Sequence, residues 1–94
     1  MSTEVRNDPE QQRYEILVEG ERAGVLDYEI ADGRISLTHT GVDDAYQGQG
    51  LASILVRGAL DDIRATGDLR VVPLCPYAAG WIEKHPDYAG LTTR

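Results

Sequence analysis

The alternation of apolar and polar residues in the first half of the chain predicts a β-meander. Strands are expected around Tyr14 to Val18, from about 22 to 31, and from 34 to about 42. The apolar positions on the first two strands are Tyr14, Ile16, Val18, Leu26, Tyr28 and Ile30. Asp32-Gly33 indicates a two-residue hairpin turn, because both central positions of the favoured turn need a positive φ.

The spacing then changes to a helical period between Gly48 and Thr66. The apolar residues that follow this period are Ala52, Leu55, Val56, Ala59, Leu60 and Ile63. They would share one face of an amphipathic helix, and Gly67 is expected to end it.

A short strand is predicted over residues 69–75, with an irregularity at Pro73 because proline cannot donate to a strand ladder. A second helix is predicted over residues 76–84 and stops before Pro86. His85 stands at its C-terminus, where the helix dipole favours a capping role.

The order of these elements predicts an α+β fold. Its central sheet would be mostly antiparallel, with three meander strands, one later strand and two helices. Residues 1–12 are polar and are expected to form a flexible tail, and residues 13–94 a single domain. A chain of 94 residues has room for one core and one site.

Charge and composition narrow the classes of partner. The net charge of −7 argues against nucleic acid, because binding there rests on Lys and Arg neutralising phosphates. No apolar run approaches the roughly 20 residues that span a bilayer, so no membrane association is expected. No apolar signal core opens the chain and a single cysteine cannot form an internal disulfide, so the expected location is cytoplasmic. No residue grouping has metal-ligand spacing, so no metal is expected.

The segment from Val42 to Ile54 leads from the third strand through a glycine-containing turn into the first helix. The first turn of a helix has four N–H groups without intrahelical partners, and the peptide dipoles make that end partly positive. Gly48 and Gly50 allow a tight turn and close approach of a ligand to the backbone. The junction is therefore a candidate phosphate site, although such a turn can also serve only to start a helix.

Val42 through Ala52 resembles the acetyl-coenzyme A signature of the GNAT N-acetyltransferase superfamily, in which Gln/Arg-x-x-Gly-x-Gly/Ala opens a helix after a strand. Here the pattern reads Gln47-Gly48-Gln49-Gly50-Leu51-Ala52. Three further segments resemble the small single-domain members: His39-Thr40, Cys75-Pro76-Tyr77 and Trp81 to Tyr88. The match covers roughly residues 13 to 91 and implies a minimal GNAT fold.

The resemblance implies that backbone N–H groups hold the pyrophosphate of coenzyme A, with the pantetheine running between the strands that flank the helix. The implied cofactor-binding residues are Val42, Gln47, Gly48, Gln49, Gly50, Leu51 and Ala52. Because only backbone and glycine are needed there, substitution of Gln47 should matter less than a bulky residue at Gly50.

Two departures from larger members of the superfamily affect the expected mechanism. Larger members insert helices between the first two strands, whereas residues 18–25 here leave space only for a turn. The acceptor side is therefore expected to be open, or completed by another molecule. Larger members also often carry a tyrosine on the last helix that protonates the leaving thiolate, and Ile82 stands at that place.

His39 and Cys75 are the candidate catalytic residues. His39 can accept a proton near neutral pH. Its strand parity with Ile35 and Leu37 favours the alternative of a partly buried histidine whose ring is already hydrogen-bonded. Its place just before the loop, as in the small relatives, supports catalysis. Cys75 directly precedes a proline-started helix, whose N-terminus can lower a thiol pKa. Inert packing is the alternative, and the resemblance favours a role beside the thioester, as acyl carrier or as proton donor to the thiolate.

The leading hypothesis is an acetyl-CoA-dependent N-acetyltransferase that acts on an unidentified small-molecule or protein amine. A non-catalytic acyl-CoA-binding or partner-binding module is the alternative, because the acceptor side is open and the tyrosine is missing. A third interpretation is a small structural domain whose glycine turn binds nothing. A homodimer that completes the open side also stays an open alternative.

Overall fold

The computed structural model describes residues 2–94, which form a sheet of five strands with helices on one face. The strands are β1 (Thr3–Asp8), β2 (Arg13–Val18), β3 (Glu21–Ala31), β4 (Arg34–Val42) and β5 (Arg70–Pro73). The helices are α1 (Leu51–Thr66) and α2 (Pro76–Lys84), with 3-10 segments at Asp44–Tyr46 and Pro86–Thr92. The predicted α+β fold with a mostly antiparallel sheet is confirmed.

The strands lie in the order β1-β2-β3-β4-β5. Neighbours pair antiparallel except β4 and β5, which pair in parallel from Arg34 opposite Arg70 to Leu37 opposite Pro73. The predicted hairpin turn between β3 and β4 is confirmed, since Asp32 and Gly33 have φ values of 54° and 75°. The parallel pair needs a crossover connection, which α1 supplies.

The expectation of a flexible tail over residues 1–12 is wrong. Residues 3–8 form β1, which pairs along its whole length with β2, and Met1 lies outside the described residues. Val5 is partly buried and packs where Gly58 leaves space on α1: a Cβ on that glycine would lie 2.8 Å from the Val5 Cβ. The polar composition did not indicate this edge strand, which is held by backbone pairing, by Val5 and by polar contacts of Arg6 and Asn7. The described sheet therefore has one strand more than predicted.

The first helix begins later than its apolar pattern indicated. Gly48 and Gly50 both have left-handed φ, so the helix starts at Leu51 with Gly50 as its N-cap. It ends at Thr66, before Gly67, as predicted. Gly67 has a φ of 174°, so the chain leaves the helix in extended conformation.

One face of the sheet carries the core, and the other is polar. The buried face packs against both helices and the second 3-10 segment, and Trp81 Nε1 ties α2 to α1 by donating to Ser53 Oγ at 2.8 Å. On the opposite face, Glu15 is buried because Arg6, Arg13 and Arg22 all lie within salt-bridge distance of its carboxylate.

A helix that spans a membrane needs sufficient length and hydropathy. Neither helix within residues 2–94 is long and apolar enough to cross a bilayer.

Candidate functional site

The turn between β4 and α1 presents a row of unused backbone N–H groups. Gly48 and Gly50 have φ values of 81° and 73°, which side chains rarely adopt. Within residues 2–94, no backbone carbonyl accepts a hydrogen bond from the N–H groups of residues 48–53, and no side chain caps α1. A Cβ on either glycine would meet nothing within 4 Å, so the space in front of the turn is open. This arrangement can bind an anion such as a phosphate.

Neighbouring contacts fix the turn in place. Gln47 Nε2 donates to the Val42 carbonyl at 2.7 Å, which closes the loop from its side-chain end. Tyr46 Oη donates to Glu21 Oε2 at 3.2 Å, and the Asp43 N–H donates to a β3 carbonyl at 2.8 Å. The donors are therefore organised before any ligand arrives, which lowers the entropic cost of binding.

Beside this turn, β4 and β5 separate. Their ladder ends at Leu37 and Pro73, and the Cys75 N–H still donates to the Leu37 carbonyl at 2.8 Å. Beyond that point β4 continues to Val42, whereas the other chain segment turns into α2. The resulting gap lies between residues 38–42 and the start of α2.

Cys75 lies at this gap as the N-cap residue of α2, with 5% of its surface exposed. Its Sγ is 3.3 Å from Thr40 Oγ1 on β4. Burial alone would raise the pKa of the Cys75 thiol. Hydrogen bonds from the Thr40 hydroxyl and from backbone amides of Ala78, Tyr77 and Thr40 outweigh burial and lower that pKa below its usual value.

His39 is exposed, so the interpretation of a partly buried histidine with the parity of Ile35 and Leu37 is wrong. A β-bulge explains the difference: His39 pairs with Asp27 but Leu37 pairs with Tyr28, which leaves Thr38 as an extra residue in β4. The bulge reverses the side-chain alternation, because each inserted residue shifts the strand by half its period.

His39 and Cys75 therefore stand on opposite faces of the sheet, at the same point along β4. Thr40, the next residue, faces the helices and contacts Cys75, whereas His39 faces the uncovered side with Asp27 directly opposite on β3. The structure brings both candidates to the gap between the strands but not into contact with each other. A group that passes through the gap would meet Cys75 on one side and His39 on the other.

A pocket of about 380 Å³ adjoins the glycine turn between α1 and α2. Ser53, Tyr77, Trp81 and Lys84 line it, together with His85. The imidazole of His85 stacks on the Trp81 ring at 3.8 Å, and its Nδ1 is 2.7 Å from the Trp81 carbonyl. The expected capping position of His85 is confirmed, and the pocket combines aromatic surface with an ammonium group.

Comparisons with known proteins give the family of the chain. Residues 13–91 match the family model described as "GCN5-related N-acetyl-transferase". The chain belongs to the GCN5-related N-acetyl-transferase family. It is 35% identical over 85 residues to Protein NATD1 of Mus musculus, covering 87% of this chain and 76% of the relative. The corresponding identity to Protein NATD1 of Bos taurus is 36%, and to that of Homo sapiens 35%, each over 87% of this chain and 74% of the relative.

The GCN5-related N-acetyl-transferase assignment confirms the resemblance seen in the residues of the turn. Sequence reasoning missed three features of this domain: the contact of Thr40 with Cys75, the position of Asp27 opposite His39, and the pocket beside Ser53. The pocket had a recoverable signal, because Tyr77, Trp81 and Lys84 stand three or four positions apart on one helix face. The other two depend on strand register, which the bulge changes.

Proposed function

We propose that the protein is an acetyl-CoA-dependent N-acetyltransferase. The proposal rests on one observation, that two features lie side by side. These are the row of free N–H donors at residues 48–53 and Cys75 in the gap between β4 and β5. Membership in the family supports the use of acetyl-CoA as acetyl donor.

The residues present fit coenzyme A. The N–H groups of residues 48–53 would hold the pyrophosphate, and both glycines leave the approach open. In the adjoining pocket, Lys84 offers an ammonium group to a further phosphate and Tyr77, 43% exposed, offers an aromatic face to a base. Local donors matter here because the net charge of −7 repels an anionic cofactor at long range.

His39 and Cys75 receive separate roles in this proposal. Bound acetyl-CoA would supply a thioester, whose C–S bond breaks as the acetyl carbon bonds to the Cys75 sulfur, and coenzyme A leaves as a thiolate that takes a proton from water. The new C–S bond to Cys75 then breaks as a C–N bond forms to the amine. On the open face, His39 takes the proton that the amine nitrogen loses. On the helix side, the lowered pKa of the Cys75 thiol supports a thiolate that accepts the acetyl group first and passes it to the amine.

A specific observation also favours a non-catalytic acyl-CoA-binding module. Cys75 is almost fully buried, and Thr40 already holds its sulfur at 3.3 Å. Such a thiol is also what a non-catalytic packing residue would show. The two functions differ in whether acetyl-CoA is turned over, and acetylation of Cys75 tests the acyl-carrier role assigned to it here.

The deciding experiment incubates the purified protein with acetyl-CoA in the absence of any amine and measures the intact mass, followed by peptide mapping. The transferase predicts one added acetyl group on Cys75 that disappears when a panel of primary amines is added, with release of free coenzyme A. Cys75→Ala should abolish labelling, and His39→Gln should keep labelling but slow discharge to the amine. A protein that binds acetyl-CoA yet acquires no acetyl group and shows no turnover is a binding module.

A further inference from the structure

A second pocket lies at the opposite end of α1 from the glycine turn. It has a volume of about 350 Å³ and lies between the C-terminal turn of α1 and the tyrosine-bearing ends of β2 and β3. Asp62, Tyr14 and Tyr28 line it. Because α1 has 16 residues at about 1.5 Å rise each, the two sites are about 24 Å apart along the helix. The proposed acetyl transfer makes no use of this pocket.

Asp62 brings a carboxylate into the pocket without a cationic partner. It is partly buried, and its Oδ2 accepts a hydrogen bond from Tyr14 Oη at 2.7 Å. Among residues 2–94, no Lys, Arg or His forms an ion pair with Asp62, whereas its neighbour Asp61 lies 3.8 Å from Arg64. Burial of a carboxylate costs free energy that a cation beside it offsets, so a cation from outside would be favoured next to Asp62.

Other groups add negative potential at the same place. Burial makes the largest contribution to the raised pKa of Tyr28, and its hydrogen bond to Asn7 acts in the opposite direction. The charges of Asp8 and Asp62 raise that pKa further, so both carboxylates act at this phenol. Burial, the hydrogen bond to Asp62 and its charge raise the pKa of Tyr14 far above its ordinary value, so Tyr14 remains a donor. The C-terminus of α1 contributes the negative end of its dipole.

The chain already places one of its own cations at the rim. The Arg94 guanidinium donates to the carbonyls of Gly67 and Leu69, two lining residues, at 2.7 and 3.1 Å. It does not reach the Asp62 carboxylate. Within the described residues 2–94, the pocket itself is lined by no Lys or Arg side chain. The Gly67 and Leu69 carbonyls therefore bind a cationic group, whereas the Asp62 carboxylate in the same pocket has no cation paired with it among residues 2–94.

The remaining lining suits an organic cation better than a metal ion. Tyr14 and Tyr28 both line the pocket, with ring centroids 5.4 Å apart and a tilt of 50°. They are 3% and 4% exposed, so each contributes a small aromatic surface to the pocket wall. Ile30, 48% exposed, adds apolar surface at the edge. Aromatic faces attract ammonium groups, and most strongly where water is excluded.

We infer that this pocket is a binding site for a small organic cation, an ammonium group on an apolar body, with Asp62 as its counter-ion. The site is independent of the proposed acetyl transfer. It does not supply the acceptor amine, since the buried core separates it from the gap at Cys75.

The test uses choline, whose quaternary nitrogen cannot be acetylated, and the neutral alcohol in which carbon replaces that nitrogen. Each is titrated into the wild-type protein without acetyl-CoA while amide chemical shifts are recorded. We expect choline to shift the amides of residues 62–69 and to leave residues 48–53 unchanged. We expect the carbon analogue to bind about tenfold more weakly, the ratio for one partly desolvated charge interaction. Equal binding of the two probes, or no shift at residues 62–69, would overturn the site.

A pair of variants isolates the charge. Asp62→Asn keeps an oxygen that can accept from Tyr14 and removes only the charge, and Asp61→Asn does the same for the adjacent carboxylate, whose Oδ1 accepts from Tyr88 Oη at 2.7 Å. Choline affinity should fall about tenfold in the first variant and stay unchanged in the second. Wild-type affinity in Asp62→Asn refutes the proposal. The comparison of the two probes on the wild-type protein decides the question if either variant fails to fold.

Discussion

A valine at Gly50 tests whether the turn before α1 binds the cofactor, and Gly33 supplies a matched control. The two glycines have nearly the same φ, 73° and 75°, and a Cβ on either would meet nothing within 4 Å. Valine therefore costs the same at both positions, about 1–2 kcal/mol for a side chain in the left-handed region. For a domain of this size each kcal/mol lowers the melting temperature by about 4–8 °C.

Only the Gly50 variant should lose affinity for acetyl-CoA. If its backbone leaves the left-handed region, at least one N–H donor turns away from the phosphate, and a hydrogen bond to a charged group contributes about 1.5–3 kcal/mol. We expect a dissociation constant raised by about ten- to a hundredfold in Gly50→Val and unchanged in Gly33→Val, measured by calorimetry below both melting temperatures. Equal affinity in the two variants would refute the assignment of the phosphate site to this turn.

Three other perturbations test the remaining structure. Thr40→Val removes a hydroxyl that lowers the pKa of the Cys75 thiol, so the pH profile of acetylation by acetyl-CoA should rise at higher pH than in the wild type; an unchanged profile would exclude control by Thr40. Gly58→Ala should lower the free energy of unfolding in urea by about 1 kcal/mol, because the new Cβ would lie 2.8 Å from the Val5 Cβ. This steric cost should exceed the gain in helix propensity from alanine, and a stabilised variant would show that β1 moves aside at no cost. His39→Gln should lower the rate of transfer to amines about a hundredfold without changing the melting temperature, since the side chain is exposed, and an unaltered rate would remove it from the mechanism.

The parts of the fold that follow from local periodicity were predictable from the sequence. The apolar spacing of α1, the turn at Asp32-Gly33 and the proline-started α2 all depend on residues that are neighbours along the chain. β1 was not predictable in the same way, because the residues that hold it are distant along the chain: Val5 packs on the core beside Gly58, more than fifty positions away. Its pairing with β2 is mainly a backbone ladder, which a polar sequence does not indicate.

The candidate site divides along the same line. The glycine turn could be predicted, since it depends on the dihedral angles that Gly48 and Gly50 allow. The orientation of His39 could not, because the alternation rule holds only while strand register is regular and Thr38 interrupts it. A threonine at position 38 is an ordinary strand residue, so nothing in the sequence marks it as the bulge. Its hydroxyl donates to the Asp27 carbonyl at 3.3 Å, a contact that requires β3 to be in place.

The single extra residue in β4 places neighbouring residues of one strand under different constraints on substitution. Thr40 and Cys75 are part of the packed interior, so their replacement disturbs the folding of the domain. His39, directly across from Asp27, lies on a surface that no element among residues 2–94 covers, where substitutions cost little stability. Substitutions around His39 can therefore change the chemistry of the uncovered face while the packed face, with Thr40 and Cys75, stays the same.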